Sequence, residues 1–359
     1  MIGGAVIPNG ERLTAAAENV ASKVFGNGVA DLTPVARVLI DSGPARSVYR
    51  FVSGQETSGQ PVLLVPPLAA PALCFDLRRG CSLAEHLVAD GRRGYLLDYG
   101  TISFSDRRLG IEHWVHEVLP RGIRAVSADA GGQPVHLLAW CLGGIFSLLA
   151  AAERQDLPIA SITVVASPFD VTAIPLMAPA RPLVDLTGGY LLTPLYRLFG
   201  SAPRRLVKAA FQISSLDKYV SKPWAILSHL DDREFLAQIE AVDHFTDNMV
   251  AYPGRTFGQM YHQLFRSNDL AEGGMDISGK RISVSDVKVP VLVIAGAKDT
   301  LAPKRAVRRL TELLTGAPEV AFEVFPGGHL GVLTGRGART TTWPRIDEFI
   351  DSHGARQVA

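Results

Sequence analysis

Apolar and polar positions along the chain fall into short blocks whose period switches between strand-like and helix-like. Pro61–Val65 is an unbroken apolar run closed by Pro66 and Pro67, the pattern of a strand buried on both faces. Val135–Trp140, Ile162–Ala166 and the β-branched Val289–Ala295 repeat it. Tyr95–Asp98 and Ala321–Val324 are shorter versions, and Ala45–Val52 reads as a strand leading into a turn at Gly54–Gln60. Helical spacing fills the intervals: Ser82–Ala89, Ile111–Ala125, Gly143–Arg154, Arg305–Leu314 and Trp343–Ser352. Ser82 followed three residues later by Glu85 is a capping-box pattern.

Strands alternating with helices predict a mostly parallel sheet covered by helices on both faces, an α/β fold. Residues 1–45 carry one helical pattern, around Leu13 to Phe25, and form an N-terminal segment. The strand signal resumes only near 286 after stopping at 169. Residues 46–169 and 286–359 therefore form the sheet core. Residues 170–285 form a helical insertion, a cap over the C-terminal strand ends where such sheets bind ligands.

Ala130–Ala152 contains no Asp, Glu, Lys or Arg and has the length of a membrane span. Gly131, Gly132, Pro134, His136, Gly143 and Gly144 interrupt it, so a buried strand running into a buried helix is expected instead. The N-terminus shows no basic stretch followed by a long apolar one, so no secretion signal is expected.

Composition narrows the classes further. Of 359 residues, 47% are hydrophobic and 20% charged, which excludes a disordered chain. Lys and Arg total 36 against 35 Asp and Glu, so no net field favours nucleic acid or an anionic membrane. The three cysteines, Cys74, Cys81 and Cys141, lack the paired spacings of a disulfide framework or zinc site and fit a reducing, cytoplasmic setting.

The string V-H-L-L-A-W-C-L-G-G-I-F carries the candidate chemistry. A strand enters a helix through small residues with Cys141 at the turn, the arrangement of a nucleophile elbow in which Ala139 stands for the first glycine and Gly143 for the second. The helix N-terminus favours a thiolate there. The N–H of Leu142 would be one oxyanion donor. Asp299 follows the strand V-L-V-I-A-G, and His329 sits in P-G-G-H-L-G after the last strand. Alone, each has an ordinary reading: an inert buried cysteine, a turn aspartate, a structural histidine. Together, in the order nucleophile, acid, histidine, they match the chain order of α/β-hydrolase triads.

The sequence resembles the polyhydroxyalkanoate synthase family, above all its short catalytic-subunit type, over about residues 46–350. The resemblance rests on L-L-V-P-P-L around Val65, F-D-L-R-R-G-C-S-L from Phe75 and S-D-R-R-L-G-I-E-H-W from Ser105. It rests also on A-W-C-L-G-G-I-F-S-L at the elbow, L-D-K-Y and D-D-R-E-F in the insertion, and P-V-L-V-I-A-G-A-K-D with P-G-G-H-L-G-V. It implies an α/β-hydrolase fold and an acyltransferase that passes 3-hydroxyacyl groups from coenzyme A to a polyester. Cys141 would carry the acyl group, with His329 as its base and Asp299 orienting the histidine or activating the incoming hydroxyl. Backbone near Leu68 would supply the second oxyanion N–H. No cofactor or metal is implied; the coenzyme A thioester is a substrate. The length leaves no room for the large N-terminal domain of single-subunit synthases, so a second synthase subunit or a homodimer is expected, with a polyester granule surface as a further contact.

The chain departs from the family at Ala69–Leu73, where polar and aromatic residues are usual, at Ala139, and at Thr300 after the acid. A Cys-dependent thioesterase or ester hydrolase of the same fold, polyester-degrading enzymes included, is the alternative. A non-catalytic granule or partner subunit is a third reading. Cys74 and Cys81 are expected to pack. His113, His116 and Glu117 are read as a solvated helix face, and Asp231–Glu234 as charges at a helix N-terminus.

Overall fold

The structure is a computed structural model that describes residues 10–26, 28–52, 54, 58–175, 201–202, 205, 208 and 216–354. Eight strands form one sheet: β1 Arg37–Gly43, β2 Arg46–Phe51, β3 Pro61–Val65, β4 Arg93–Asp98, β5 Val135–Trp140, β6 Ile159–Val165, β7 Val291–Gly296 and β8 Val320–Phe325. Their spatial order is β1-β2-β4-β3-β5-β6-β7-β8. β1, β2 and β4 pair antiparallel, and every pairing from β4 through β8 is parallel.

The apolar runs form strands because both faces of the sheet are covered. Every residue of β3, β5 and β7 is buried. α4 (Leu142–Glu153) is apolar on nearly all sides and buried from Leu142 through Ala152. Helices α2 (Leu83–Ala89), α3 (Leu119–Asp129) and α8 (Lys304–Leu313) also pack on the sheet, and α9 (Thr342–Ser352) buries Trp343, Ile346, Phe349 and Ile350 in the same core. The Ser82 hydroxyl accepts from the Glu85 N–H at 3.0 Å, as the pattern predicts. The Glu85 carboxylate, however, reaches the Gly80 N–H at 3.0 Å, so the box closes two residues upstream of the cap.

The sheet starts earlier than the sequence pattern suggests. β1 lies inside the 1–45 segment that was expected to precede the core. It is an edge strand with Val38 and Leu39 largely exposed, so it carries none of the inward apolar periodicity that marks the others. Over Ile111–Ala125 the expected single helix is a π-helical turn, His113–Val118, followed by α3 with Pro120 in its first turn.

The described part of the insertion contains α5 (Leu216–Ser228), α6 (Arg233–Asp247) and α7 (Gly254–Met260), and also a two-stranded hairpin, Gly274–Ile277 with Lys280–Ser283. Asp232 caps α6 by accepting from the Phe235 N–H at 2.8 Å, which accounts for one charge of Asp231–Glu234. α6 is fastened to the core by ion pairs of Glu234 with Arg78 and of Asp232 with Arg336. α1 (Gly10–Phe25) joins the same region through Asn19, whose amide donates to Leu230 O at 2.8 Å. Cys74 and Cys81 are buried, and both are free thiols. Of the face expected to be solvated, Glu117 is exposed, but His113 and His116 are partly buried, and His116 Nε2 lies 2.6 Å from a Glu153 carboxylate oxygen of α4. Among the described residues no helix is long and apolar enough to cross a membrane.

Register fixes where the loops meet. Val65 pairs with Ala139, Trp140 with Val165, and Gly296 with Phe325. The C-terminal ends of β3, β5, β6, β7 and β8 therefore lie along one edge of the sheet, and the segments that follow them converge there.

Candidate active site

Cys141 follows β5 directly and stands at the N-cap of α4 with φ 53° and ψ −121°. A side chain rarely adopts positive φ, and the strain is held by close packing around the turn. The Cys141 N–H donates to Val165 O at 2.8 Å, and its carbonyl accepts from the buried Ser167 hydroxyl at 2.7 Å. A methyl on Gly143 would stand 2.5 Å from Val65 O and 2.7 Å from Pro66 O; on Gly144 it would meet the Ser167 oxygen at 2.2 Å. Only glycine lets α4 approach the end of β3 this closely. Gly143→Ala is expected to destabilise the fold by about 3 kcal/mol, because both clashing atoms are main chain of a central strand and its exit. Calorimetric unfolding of purified Gly143→Ala protein checks this, and an unchanged transition contradicts it.

The turn leaves the Cys141 thiol partly exposed at the head of α4. Leu142 is the first residue of that helix, so its N–H has no intrahelical acceptor. Pro66 and Pro67 carry no N–H, which makes Leu68 the first backbone donor after β3; it is buried at 2% exposure.

Asp299 and His329 come from different loops and meet. His329 Nδ1 lies 2.8 Å from Asp299 Oδ2. The other carboxylate oxygen accepts from the N–H groups of Leu301 at 2.9 Å and Ala302 at 2.8 Å. Asp299 is 6% exposed. Burial works against its ionisation, but the His329 charge, their hydrogen bond and the two amides outweigh it and hold the carboxyl below its usual range. Burial alone would lower His329 as well. The Asp299 carboxylate and a charge on Cys141, with hydrogen bonds to both, push it up to about 10. With Nδ1 engaged by Asp299, Nε2 is the nitrogen left for the sulfur. The structure thus brings Asp299 and His329 into direct contact, with Cys141 near enough for its charge to act on the histidine.

Trp140, the last residue of β5, organises the site. Its indole N–H donates to His329 O at 3.1 Å, and its ring lies 5.0 Å from the imidazole at 41°. Buried on the other side against Phe245 of α6, it anchors the histidine loop to the sheet and to the insertion. A buried tryptophan needs a partner for its N–H, and that requirement was the available signal. The sequence does not mark Ser167, because a serine after a strand resembles any turn residue. Among the described residues no group of three or more His, Cys, Asp or Glu side chains is placed to hold a metal ion.

The alpha/beta hydrolase fold family matches residues 60–335. The chain belongs to that family. Solved structures agree on the fold: the esterase RhEst1 from Rhodococcus sp. ECU1013 has a TM-score of 0.51 at 16% identity, covering 89% of this chain and 100% of its own. Alpha/beta hydrolase domain-containing protein 10 from mouse has a TM-score of 0.50 at 14% identity, covering 89% and 99%. The resemblance drawn from the motifs is also met by curated relatives. The chain is similar to the poly(3-hydroxyalkanoate) polymerase subunit PhaC of Allochromatium vinosum, 25% identical over 92% of this chain and 94% of that one. It is 23% identical to the Haloferax mediterranei subunit of the same name over 88% of this chain and 65% of that protein. For the Haloarcula marismortui subunit the figures are 22%, 86% and 64%. The chain thus spans nearly the whole of the first relative but about two thirds of the other two.

Proposed function

We propose that this alpha/beta hydrolase family member is a Cys-His-Asp acyltransferase that moves 3-hydroxyacyl groups from coenzyme A thioesters onto a growing polyester. The observation that carries the reading is a cysteine at the elbow near His329, which Asp299 contacts at 2.8 Å. The PhaC relatives support the choice of substrate.

The sulfur of Cys141 attacks the thioester carbonyl carbon. The N–H groups of Leu142 and Leu68 receive the oxygen as it gains charge. Collapse breaks the bond to the coenzyme A sulfur, which takes the His329 proton and leaves as a thiol. Neutral His329 then accepts the proton of a chain-end hydroxyl. That oxygen attacks the acyl-cysteine, an ester forms, and Cys141 returns as thiolate beside protonated His329. Exchange between two thioesters is nearly isoenergetic, so the acyl group stays activated on the enzyme. A cysteine therefore suits transfer to a hydroxyl, whereas a hydrolase gains little from it. Asp299 orients His329 and sustains its charge throughout.

The product decides between transfer and hydrolysis. Incubation with 3-hydroxybutyryl-coenzyme A is expected to release free thiol together with insoluble polyester, and Cys141→Ala to release neither. Free hydroxy acid in step with coenzyme A would establish the thioesterase reading. Thiol release by Cys141→Ala equal to wild type would remove both. The same reading places the protein in the cytoplasm, at a polyester granule surface, working with a second synthase subunit or as a homodimer.

A further inference from the structure

The insertion is fastened to the core on both sides of one tyrosine, Tyr252. Two residues before it, the Val250 N–H donates to Ala69 O at 2.9 Å. Ala69 directly follows Leu68, the candidate oxyanion donor, and is itself held at φ 66°. Four residues after it, in α7, the Thr256 N–H and hydroxyl both donate to Leu109 O, at 3.1 and 2.6 Å. The Trp114 indole N–H donates to the Thr256 hydroxyl at 2.9 Å. Between these anchors Tyr252 and Pro253 pair antiparallel with Ser201 and Ala202. Pro253 also disfavours a helical conformation for the residue before it. Tyr252 is therefore an extended residue clamped at both ends, with its ring 6.1 Å from Phe257 and packed against the same core as Cys141.

Its phenol differs from those of its fellow tyrosines in the core. Tyr95 donates to Asp129 at 2.8 Å, and Tyr99 donates to Pro66 O at 3.0 Å. The hydroxyl of half-buried Tyr252 has no such partner among the described residues, and leaving a donor unused in this way costs stability. Burial raises the phenol, and a charge on Cys141 raises it further, so the ring stands within reach of the sulfur's charge although no hydrogen bond joins the two side chains. A raised phenol keeps its proton at neutral pH and acts as a donor, not as a base.

The charge felt at Tyr252 moves during the reaction. As the sulfur attacks a thioester, an electron pair passes from the carbonyl double bond to the oxygen beside it. A donor that is unused in the resting protein and meets a negative acceptor only then stabilises the transition state more than the ground state. We infer that the phenol of Tyr252 is a third donor to this oxyanion, added from the insertion to the N–H groups of Leu142 and Leu68. Its proton stays on the phenol, and the hydrogen bond strengthens only while the oxygen is charged. The inference rests on Cys141 being the acylated nucleophile. It makes the insertion part of the catalytic centre and not merely its cover.

Tyr252→Phe removes the hydroxyl and keeps the ring, and it takes no hydrogen bond from the resting fold. Acylation is read by rapid mixing as the first equivalent of thiol released from 3-hydroxybutyryl-coenzyme A and of nitrophenolate released from 4-nitrophenyl butyrate. Alkylation by iodoacetamide is the reference, because attack at its saturated carbon creates no oxyanion. Cys74 and Cys81 are buried, which leaves Cys141 as the accessible thiol. Both acylations are expected to slow about 10²-fold in Tyr252→Phe, and alkylation to stay within about twofold of wild type. Unslowed acylation, or equal slowing of acylation and alkylation, would overturn the inference. Slowing with the hydroxyacyl thioester alone would assign the phenol to the substrate's own hydroxyl and overturn it too. If wild type released nitrophenolate but no thiol, the coenzyme A reading would fall and the ester would decide on Tyr252. Release of neither by wild type would remove both.

Discussion

Cys141→Ser is expected to fold as the wild type does and to lose coenzyme A release from 3-hydroxybutyryl-coenzyme A by about 10³-fold or more. Serine is nearly isosteric with cysteine and meets the same constraints at φ 53°: the Ser167 hydrogen bond to the main-chain carbonyl and the glycine contacts behind the turn do not involve the sulfur. The chemistry changes. His329, raised to about 10, is suited to stand protonated beside an anionic sulfur. A serine hydroxyl needs the opposite state, a neutral imidazole able to take its proton. Serine removes the sulfur's share of the upward push on His329, but the larger Asp299 contribution stays. Thiol release and circular dichroism on the same preparation check the expectation. A variant as active as wild type would contradict the need for sulfur at position 141.

Asp299→Asn is expected to lower kcat by about 10²- to 10⁴-fold with a smaller change in KM. The amide keeps the shape of the carboxylate but brings an N–H donor, and it removes the largest charge acting on His329. Its effect on pH dependence has a definite sign. His329 has a folded-state value above its ordinary 6.5, so its contribution to stability is complete below about 6.5 and is lost as pH rises through about 10. Asp299 is shifted the other way: its contribution is present above its ordinary 3.8 and is lost as pH falls through the lowered folded value. Wild type should therefore melt at a lower temperature at pH 10 than at pH 6.5, and Asp299→Asn should lose most of that alkaline decline. Melting curves at the two pH values measure it. An identical alkaline decline in both proteins would show that the Asp299–His329 pair does not set it.

How far the sequence is legible depends on what each residue's neighbours are. β3, β5 and β7 are readable because strands covered on both faces must be continuous apolar runs, and Gly or Pro marks their ends. β1 is not readable, because an edge strand with exposed Val38 and Leu39 gives no inward period. The π-helical turn at His113–Val118 is invisible for another reason: its apolar residues Trp114, Val115 and Val118 also fit an α-helix, and only packing on the neighbouring elements selects the wider turn. His116 is no more legible, because its partner Glu153 lies on a helix far along the chain.

The sequence by itself determined the alternation of strands and helices, the elbow around Cys141, and the order of cysteine, aspartate and histidine. These are local facts: apolar runs, small residues at a turn, residue types at positions along a chain. The contact between His329 and Asp299, the anchoring of the histidine loop by Trp140, and the placing of Tyr252 near Cys141 were decided only by the tertiary structure. Each joins segments far apart in the chain, which come together because parallel pairing of β3 through β8 brings their C-terminal ends to one edge. Hydrophobic periodicity sets which residues face the core. It does not set which strands are neighbours, and here strand order brings the catalytic candidates together.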